Sequence, residues 1–191
     1  ATRFAICRAQ KEVQKGNQVF TASAAAGITV GLVLLFLGFT ASDAVAKILG
    51  AEGVIQEMTG SYLKTILGFA PFFIVNNILI AFVRNDGSPG RAMCGMVVGS
   101  LSNVVMDYVF IFPLGMGMFG AALATGVSPI ISILILSGHL RAPGRGFHLH
   151  RTRVQPRLVP ALCTPGLPSL ISEFSSGLVL LLFNQVLLRL A

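Results

Sequence analysis

Tryptophan is missing from this chain, and only two tyrosines, Tyr62 and Tyr108, are present. The Trp girdle that marks the two faces of many bilayer proteins is therefore excluded, and Phe with the two Tyr must serve at the interfaces. Charge is scarce as well: 11% of residues are Asp, Glu, Lys or Arg, against about 25% in a soluble domain. The three cysteines, Cys7, Cys94 and Cys163, have no paired spacing. That argues against a disulfide framework and a metal knuckle and leaves them as small apolar residues. The Gly- and Pro-rich stretch from Arg84 to Gly90 is not followed by Lys-Ser/Thr and has no strand pattern before it. It reads as a tight turn, not a phosphate loop. Ser172 and Glu173 are adjacent, and adjacent helix residues do not face each other, so they are not a nucleophile and its base. No enzyme is expected, and no organic or metal cofactor.

What is present is apolar length. Hydrophobic residues make up 54% of the 191-residue chain and its mean hydropathy is +0.80. The pattern predicts an all-α, polytopic membrane bundle with about five spans: Val19–Phe39, Tyr62–Val83, Ala92–Phe112, Met118–Leu136 and a last one within Pro160–Leu190, helical from Pro168. Ala1–Gly16 reads as the end of a preceding helix, and Thr40–Met58 as a polar connection with a short interfacial helix over Ala44–Leu49. Small residues line one side of two spans, Ala24, Gly27 and Gly31 in the first and Gly95 and Gly99 in the third, where another helix can approach closely. Pro71 and Pro129 lie inside spans and predict kinks, with Asn76 and Asn77 just after the first.

The net charge of +7 is a topology signal and does not point to nucleic acid. Arg3, Arg8, Lys11 and Lys15 precede the first span, Arg84 and Arg91 lie between the second and third, and Arg141, Arg145, Arg151, Arg153 and Arg157 follow the fourth. Eleven of the fourteen basic residues thus share one side, which the positive-inside rule assigns to the cytoplasm of a multi-pass plasma-membrane protein. Residues 139–158 are expected to be a basic cytoplasmic linker, with His139, His148 and His150 as solvated loop histidines. Residues 1–138 would form one unit and residues 159–191 the start of another. The chain begins at Ala1 without Met and stops directly after an apolar run, so a piece of a longer protein is expected.

The third span carries the polar residues that need a reason. Asn103 and Asp107 are four apart and share a helix face. A carboxylate inside a bilayer costs about 2.5–3.5 kcal/mol when central, less toward an edge, and calls for a partner, a cation, a proton or a water-filled cavity. The plain alternative is a carboxylate hydrated at the interface. Pro113–Gly117 is short enough to make the third and fourth spans antiparallel neighbours. Counting from that turn, Asp107 and Thr125 come to similar depth, with Asn103 about 6 Å deeper. An amide, a carboxylate and a hydroxyl together suit a proton or, with further oxygens, Na⁺.

The segments Ala81–Gly90 (AFVRNDGSPG), Gly99–Phe112 (GSLSNVVMDYVFIF) and Gly115–Ser128 (GMGMFGAALATGVS), with Gly166-Leu-Pro-Ser169 later, resemble the multidrug and toxic compound extrusion (MATE) family, most closely its prokaryotic branch. The resemblance runs over nearly the whole chain and implies the third to seventh of twelve transmembrane helices, arranged in two six-helix lobes around a central cavity. It implies antiport of H⁺ or Na⁺ against cationic or lipophilic compounds by alternating access, with membrane lipids and the remaining helices as partners. Asn103 and Asp107 would be the cation-coupling pair, Thr125 their neighbour on the next helix, and Ala121 a carbonyl donor. Glu173 falls about one turn early for the carboxylate that some members place on the seventh helix, and Pro129 stands where a polar residue is more usual. The first helix, with another essential Asp, and the last five are not in this sequence, so the chain alone is not expected to transport. Two alternatives stand beside efflux: a lipid-linked oligosaccharide flippase of the same broad fold, which would want more basic residues in its cavity, and a non-transporting membrane fragment.

Overall fold

In a computed structural model the described residues are 2–10, 12–48, 53–140 and 164–190, and among them there is no strand. The chain divides into two units, Ala1–Val154 and Gln155–Ala191.

The first unit begins with α1 (Thr2–Ala9) and continues into α2 (Val13–Ile48), a helix of 36 residues. α2 is longer at both ends than the apolar run predicts. Residues 40–48, read as connection with an interfacial helix, continue it without a break, because no Pro or Gly interrupts Ala41–Ile48 and apolar residues recur through it. Its threonines do not tax the apolar stretch: the Thr21, Thr29 and Thr40 hydroxyls each donate to the carbonyl four residues earlier, at 2.9 Å.

The second span is two helices, α3 (Gly53–Gly68) and α4 (Ala70–Asn85), meeting at 47°. Pro71 sits in the first turn of α4, where its missing N–H costs nothing; carried on in one straight helix it would have left the Leu67 carbonyl without its donor. Phe69 alone joins the halves. Its N–H is shared between the Thr65 and Ile66 carbonyls, and its own carbonyl accepts from Phe72 and Phe73.

After the turn at Asp86–Ser88, where Gly87 adopts φ 83°, a conformation that favours glycine, come α5 (Pro89–Ile111) and α6 (Gly117–Leu140). α2, α5 and α6 are each long and apolar enough to cross a membrane, and the bent α3–α4 pair, counted as one broken span, is a fourth. α2 packs on α3 and α4, α5 on α6, and both halves of the bent span on α6. Glycines set the close approaches. A β-carbon on Gly99 would lie 3.2 Å from Ser132 Cβ, and one on Gly31 only 2.6 Å from Pro71 Cα. At the end holding Arg84 and Arg91, Phe82 stacks with Phe4 (4.8 Å between ring centres) and Phe20 (5.1 Å), tying α1, α2 and α4 together. At the opposite end Lys64 lays its ammonium 5.5 Å from the Phe39 ring centre, so its charge is met by a π face at the edge of the apolar zone.

The second unit holds a short 3₁₀ turn, Thr164–Gly166, and α7 (Leu167–Leu190), apolar over Leu167–Phe183. Residues 141–163, and with them His148, His150, Cys163 and most of the expected linker, lie outside the described residues.

His139 departs from the sequence-based expectation. It is not a solvated loop residue: α6 runs through it to Leu140, its side chain is 1% exposed, and its Nε2 lies 2.7 Å from Asp86 Oδ2, which is equally buried. The apolar rhythm falters at Ser137-Gly138, but Gly138 has open space around it and the helix continues. The partner that buries His139 is 53 residues away in sequence.

Candidate functional site

The polar residues singled out in the third span are half-buried on α5, and Asn103 faces α6. The tight turn between these helices sets them antiparallel, so that Gly95 meets Leu136, Gly99 meets Ser132, and Phe110 meets Gly120. In that register Thr125 falls between the levels of Asn103 and Asp107, and the Asn103 Nδ2 lies 3.5 Å from Thr125 Oγ1, a long contact at the outer edge of hydrogen bonding. Asp107, one turn on from Asn103, comes level with residues 123–124, within about 3 Å of the level of Thr125 along the helix axis.

Asp107 is half-buried, and its Oδ1 is fully buried with no hydrogen bond among the described residues. The ion pairs found among the described side chains, Lys15–Glu12 and His139–Asp86, do not involve it. Removing a carboxylate oxygen from water without a partner is costly. One turn away, the Thr125 hydroxyl accepts from Asn103 while the Thr125 carbonyl accepts from Ser128 Oγ at 3.1 Å. The arrangement is a carboxylate, an amide and a hydroxyl within two turns of two packed helices, all oxygen and nitrogen ligands. Such a set can take a proton on the carboxylate, or a small hard cation if further oxygens join. No group of three or more His, Cys, Asp or Glu side chains able to hold a metal occurs among the described residues.

Another buried, unbonded side-chain oxygen belongs to a residue that the sequence placed only by its kink. Asn76 lies on α4, which packs on both α5 and α6, and its Oδ1 is buried without a hydrogen-bond partner among the described residues. Its neighbour Asn77 is exposed and donates Nδ2 to the Phe73 carbonyl at 3.1 Å. The signal separating the two was helical phase, since Asn76 and Leu79, three apart, share the inward side. Pro129 is buried within α6, which is unbroken around it. Glu173 is exposed on α7, in the second unit.

A separate open cavity of about 450 Å³ lies where the N-terminal part of α3 meets the α5–α6 turn, lined by Glu57, Met58, Ser61, Met116, Met118 and Phe119. It shares no residue with the Asn103–Asp107–Thr125 cluster.

Comparison with known proteins gives this arrangement relatives. Multidrug export protein MepA of Staphylococcus aureus (strain bovine RF122 / ET3-1) is 36% identical over 124 residues, 65% of this chain and 28% of that protein. MepA of Staphylococcus saprophyticus is 27% identical over 179 residues, 93% of this chain and 40% of its own length. Among solved structures, the outward-facing conformation of a multidrug resistance MATE family transporter of the MOP superfamily superposes with a TM-score of 0.85 at 27% identity, over 96% of this chain and 41% of that one. The inward-facing conformation of a transporter so described gives 0.79 at 27% identity, over 87% and 38%. A crystal structure of MATE in the bent conformation gives 0.83 at 27% identity, over 93% and 40%. The chain thus spans well under half the length of the relatives it matches. The MatE family model matches residues 1–109, from α1 through nearly all of α5 and including both Asn103 and Asp107; on that match, more than half of the sequence, the chain belongs to the MatE family.

Proposed function

We propose that this chain is part of a secondary multidrug exporter in which Asp107, Asn103 and Thr125 take the coupling ion, H⁺ or Na⁺, in exchange for outward movement of a cationic or lipophilic compound. The observation that carries the reading is the Asp107 carboxylate itself: an acid in a membrane span, with one oxygen buried and unbonded, one turn from a loose amide–hydroxyl contact. The names of the MepA relatives and the two facing conformations among the structural neighbours support efflux by alternating access.

In this mechanism Asp107 holds the ion and supplies the charge that it cancels. Neutralisation removes the desolvation cost of the carboxylate and lets α5 and α6 close on one another. Thr125 accepts from Asn103 and keeps its own hydroxyl proton, so it can turn toward whichever form Asp107 presents. The Ala121 carbonyl and the Asn103 amide are the further oxygens that this reading assigns to a Na⁺ ion seated at Asp107. The ends bearing Arg84 and Arg91 face the cytoplasm of a plasma-membrane protein, as the distribution of basic residues implies. The remaining helices of the full-length transporter and membrane lipid complete the cavity.

The test is ion-driven efflux of a fluorescent cation from vesicles containing the complete transporter, run beside an assay of lipid-linked oligosaccharide flipping. Dye efflux that follows an imposed H⁺ or Na⁺ gradient is the expected result. Flipping without dye efflux would replace the exporter reading with the flippase one.

A further inference from the structure

The joint between α3 and α4 lies against the ion site. α3 ends at Gly68 and α4 begins at Ala70, so the 47° bend turns on one residue, Phe69. Two other helices hold that joint. On one side α2 offers notches: a β-carbon at Gly31 would lie 2.6 Å from Pro71 Cα and 3.1 Å from Pro71 N, and Leu67 packs into Gly38. On the other side the Phe69 ring lies on α6 at Gly126, where a β-carbon would come 2.6 Å from Phe69 Cγ and 2.8 Å from its Cε2. The ring is steadied by Phe72, whose ring centre is 6.1 Å away.

Gly126 is the residue next to Thr125, the hydroxyl that meets Asn103. A ring packed on bare backbone at one residue's distance from the site leaves no slack between them, since packed interiors transmit displacements instead of absorbing them. The α2 side of the joint is backbone on backbone and close. The α6 side is a side-chain ring seated on a glycine.

We propose, on the ion-site reading above, that Phe69 is a positioning residue: its contact with Gly126 transmits occupancy of the Asn103–Asp107–Thr125 site to the angle between α3 and α4. Ion uptake at Asp107 draws α5 and α6 together at Thr125, Gly126 moves under the ring, and the joint turns about the fixed Gly31–Pro71 contact. The half-span α3 moves as the output, and the substrate path opens or closes with it.

The chain contains no Trp, so Phe69→Trp places a single indole reporter at the joint. With the chain in lipid vesicles, Trp emission is recorded while pH and then Na⁺ are stepped, and carboxyl infrared bands are recorded in parallel to follow Asp107 directly. The expected result is an emission shift that follows the Asp107 signal and is lost in Asp107→Asn. An Asp107 signal with a silent indole overturns the role of Phe69 and leaves the ion site standing; absence of both overturns the ion site itself. A shift that persists in Asp107→Asn also overturns the proposal. If Phe69→Trp does not insert, Phe72→Trp reads the same joint with Phe69 in place. There the ion response is expected with Phe69 present and lost in Phe69→Leu, and a response unchanged by Phe69→Leu contradicts the proposal. A purely structural role for Phe69 would change stability without removing the ion response.

Discussion

The polar contacts of α6 at His139 and at Thr125 are built in opposite ways. At the end of the unit holding Arg84, Asp86 and His139 are 2.7 Å apart with both side chains 1% exposed. Thr125, on the same helix fourteen residues earlier and so roughly 21 Å away along its axis, meets Asn103 at 3.5 Å in a part-buried setting beside a carboxylate with an unbonded buried oxygen. The first contact is short and closed to water, and it belongs to a helix end locked further by the Phe4–Phe82–Phe20 stack. The second is long and incomplete. A closed polar pair resists change because removing one partner leaves the other buried. An incomplete one is ready to accept a further ligand. In the proposed mechanism the Asp86–His139 end is the fixed point of the unit and the Asp107 region its moving part.

The contrast is tested most severely at the incomplete site. Asp107→Asn in the complete transporter should abolish ion-driven efflux, measured with a fluorescent cation in vesicles, while membrane insertion and thermal stability stay within error of the parent. The closed pair should behave in the opposite way. Asp86→Leu removes the partner of a buried His139 and should destabilise the unit by about 3–5 kcal/mol, read as a lowered unfolding midpoint in detergent. A next, smaller effect sharpens the role of close packing between the two ends. Gly31→Val forces branched side-chain atoms against the Pro71 backbone and should cost about 1–3 kcal/mol on the same unfolding measurement. The smallest stability effect belongs to Thr125→Val, which deletes only the long contact to Asn103. It should cost no more than about 0.5–1.5 kcal/mol, yet lower the rate of ion-driven efflux measurably. A large stability loss in Thr125→Val, or none in Asp86→Leu, would reverse the contrast.

The membrane bundle was legible in the sequence because apolar length, helical spacing and glycine strips are local properties. The strips at Gly27, Gly31, Gly95 and Gly99 do meet other helices: Ile78, Pro71, Leu136 and Ser132 lie against them. The bend at Pro71 was legible for the same reason, since a missing N–H acts within one turn. What could not be read depended on partners distant in the chain. His139 looked like a loop residue because nothing near it announces a buried carboxylate 53 residues earlier. Phe69 drew no notice as one aromatic among fourteen Phe; only the bare backbone of Gly126 beneath its ring distinguishes it. Of the site itself, Asn103 and Asp107 were readable as polar residues sharing one face of an apolar span, while the inward direction of Asn76 required the packing of α4 on α5 and α6.

Everything proposed for this chain depends on substrate and ion movements being coupled at Asp107. Counterflow tests that coupling most directly: a substrate gradient is imposed across vesicles containing the complete transporter, and the H⁺ or Na⁺ flux that it drives in the opposite direction is measured. Such flux is expected in the parent protein and none in Asp107→Asn. Equal ion flux in both proteins would contradict coupling at this carboxylate.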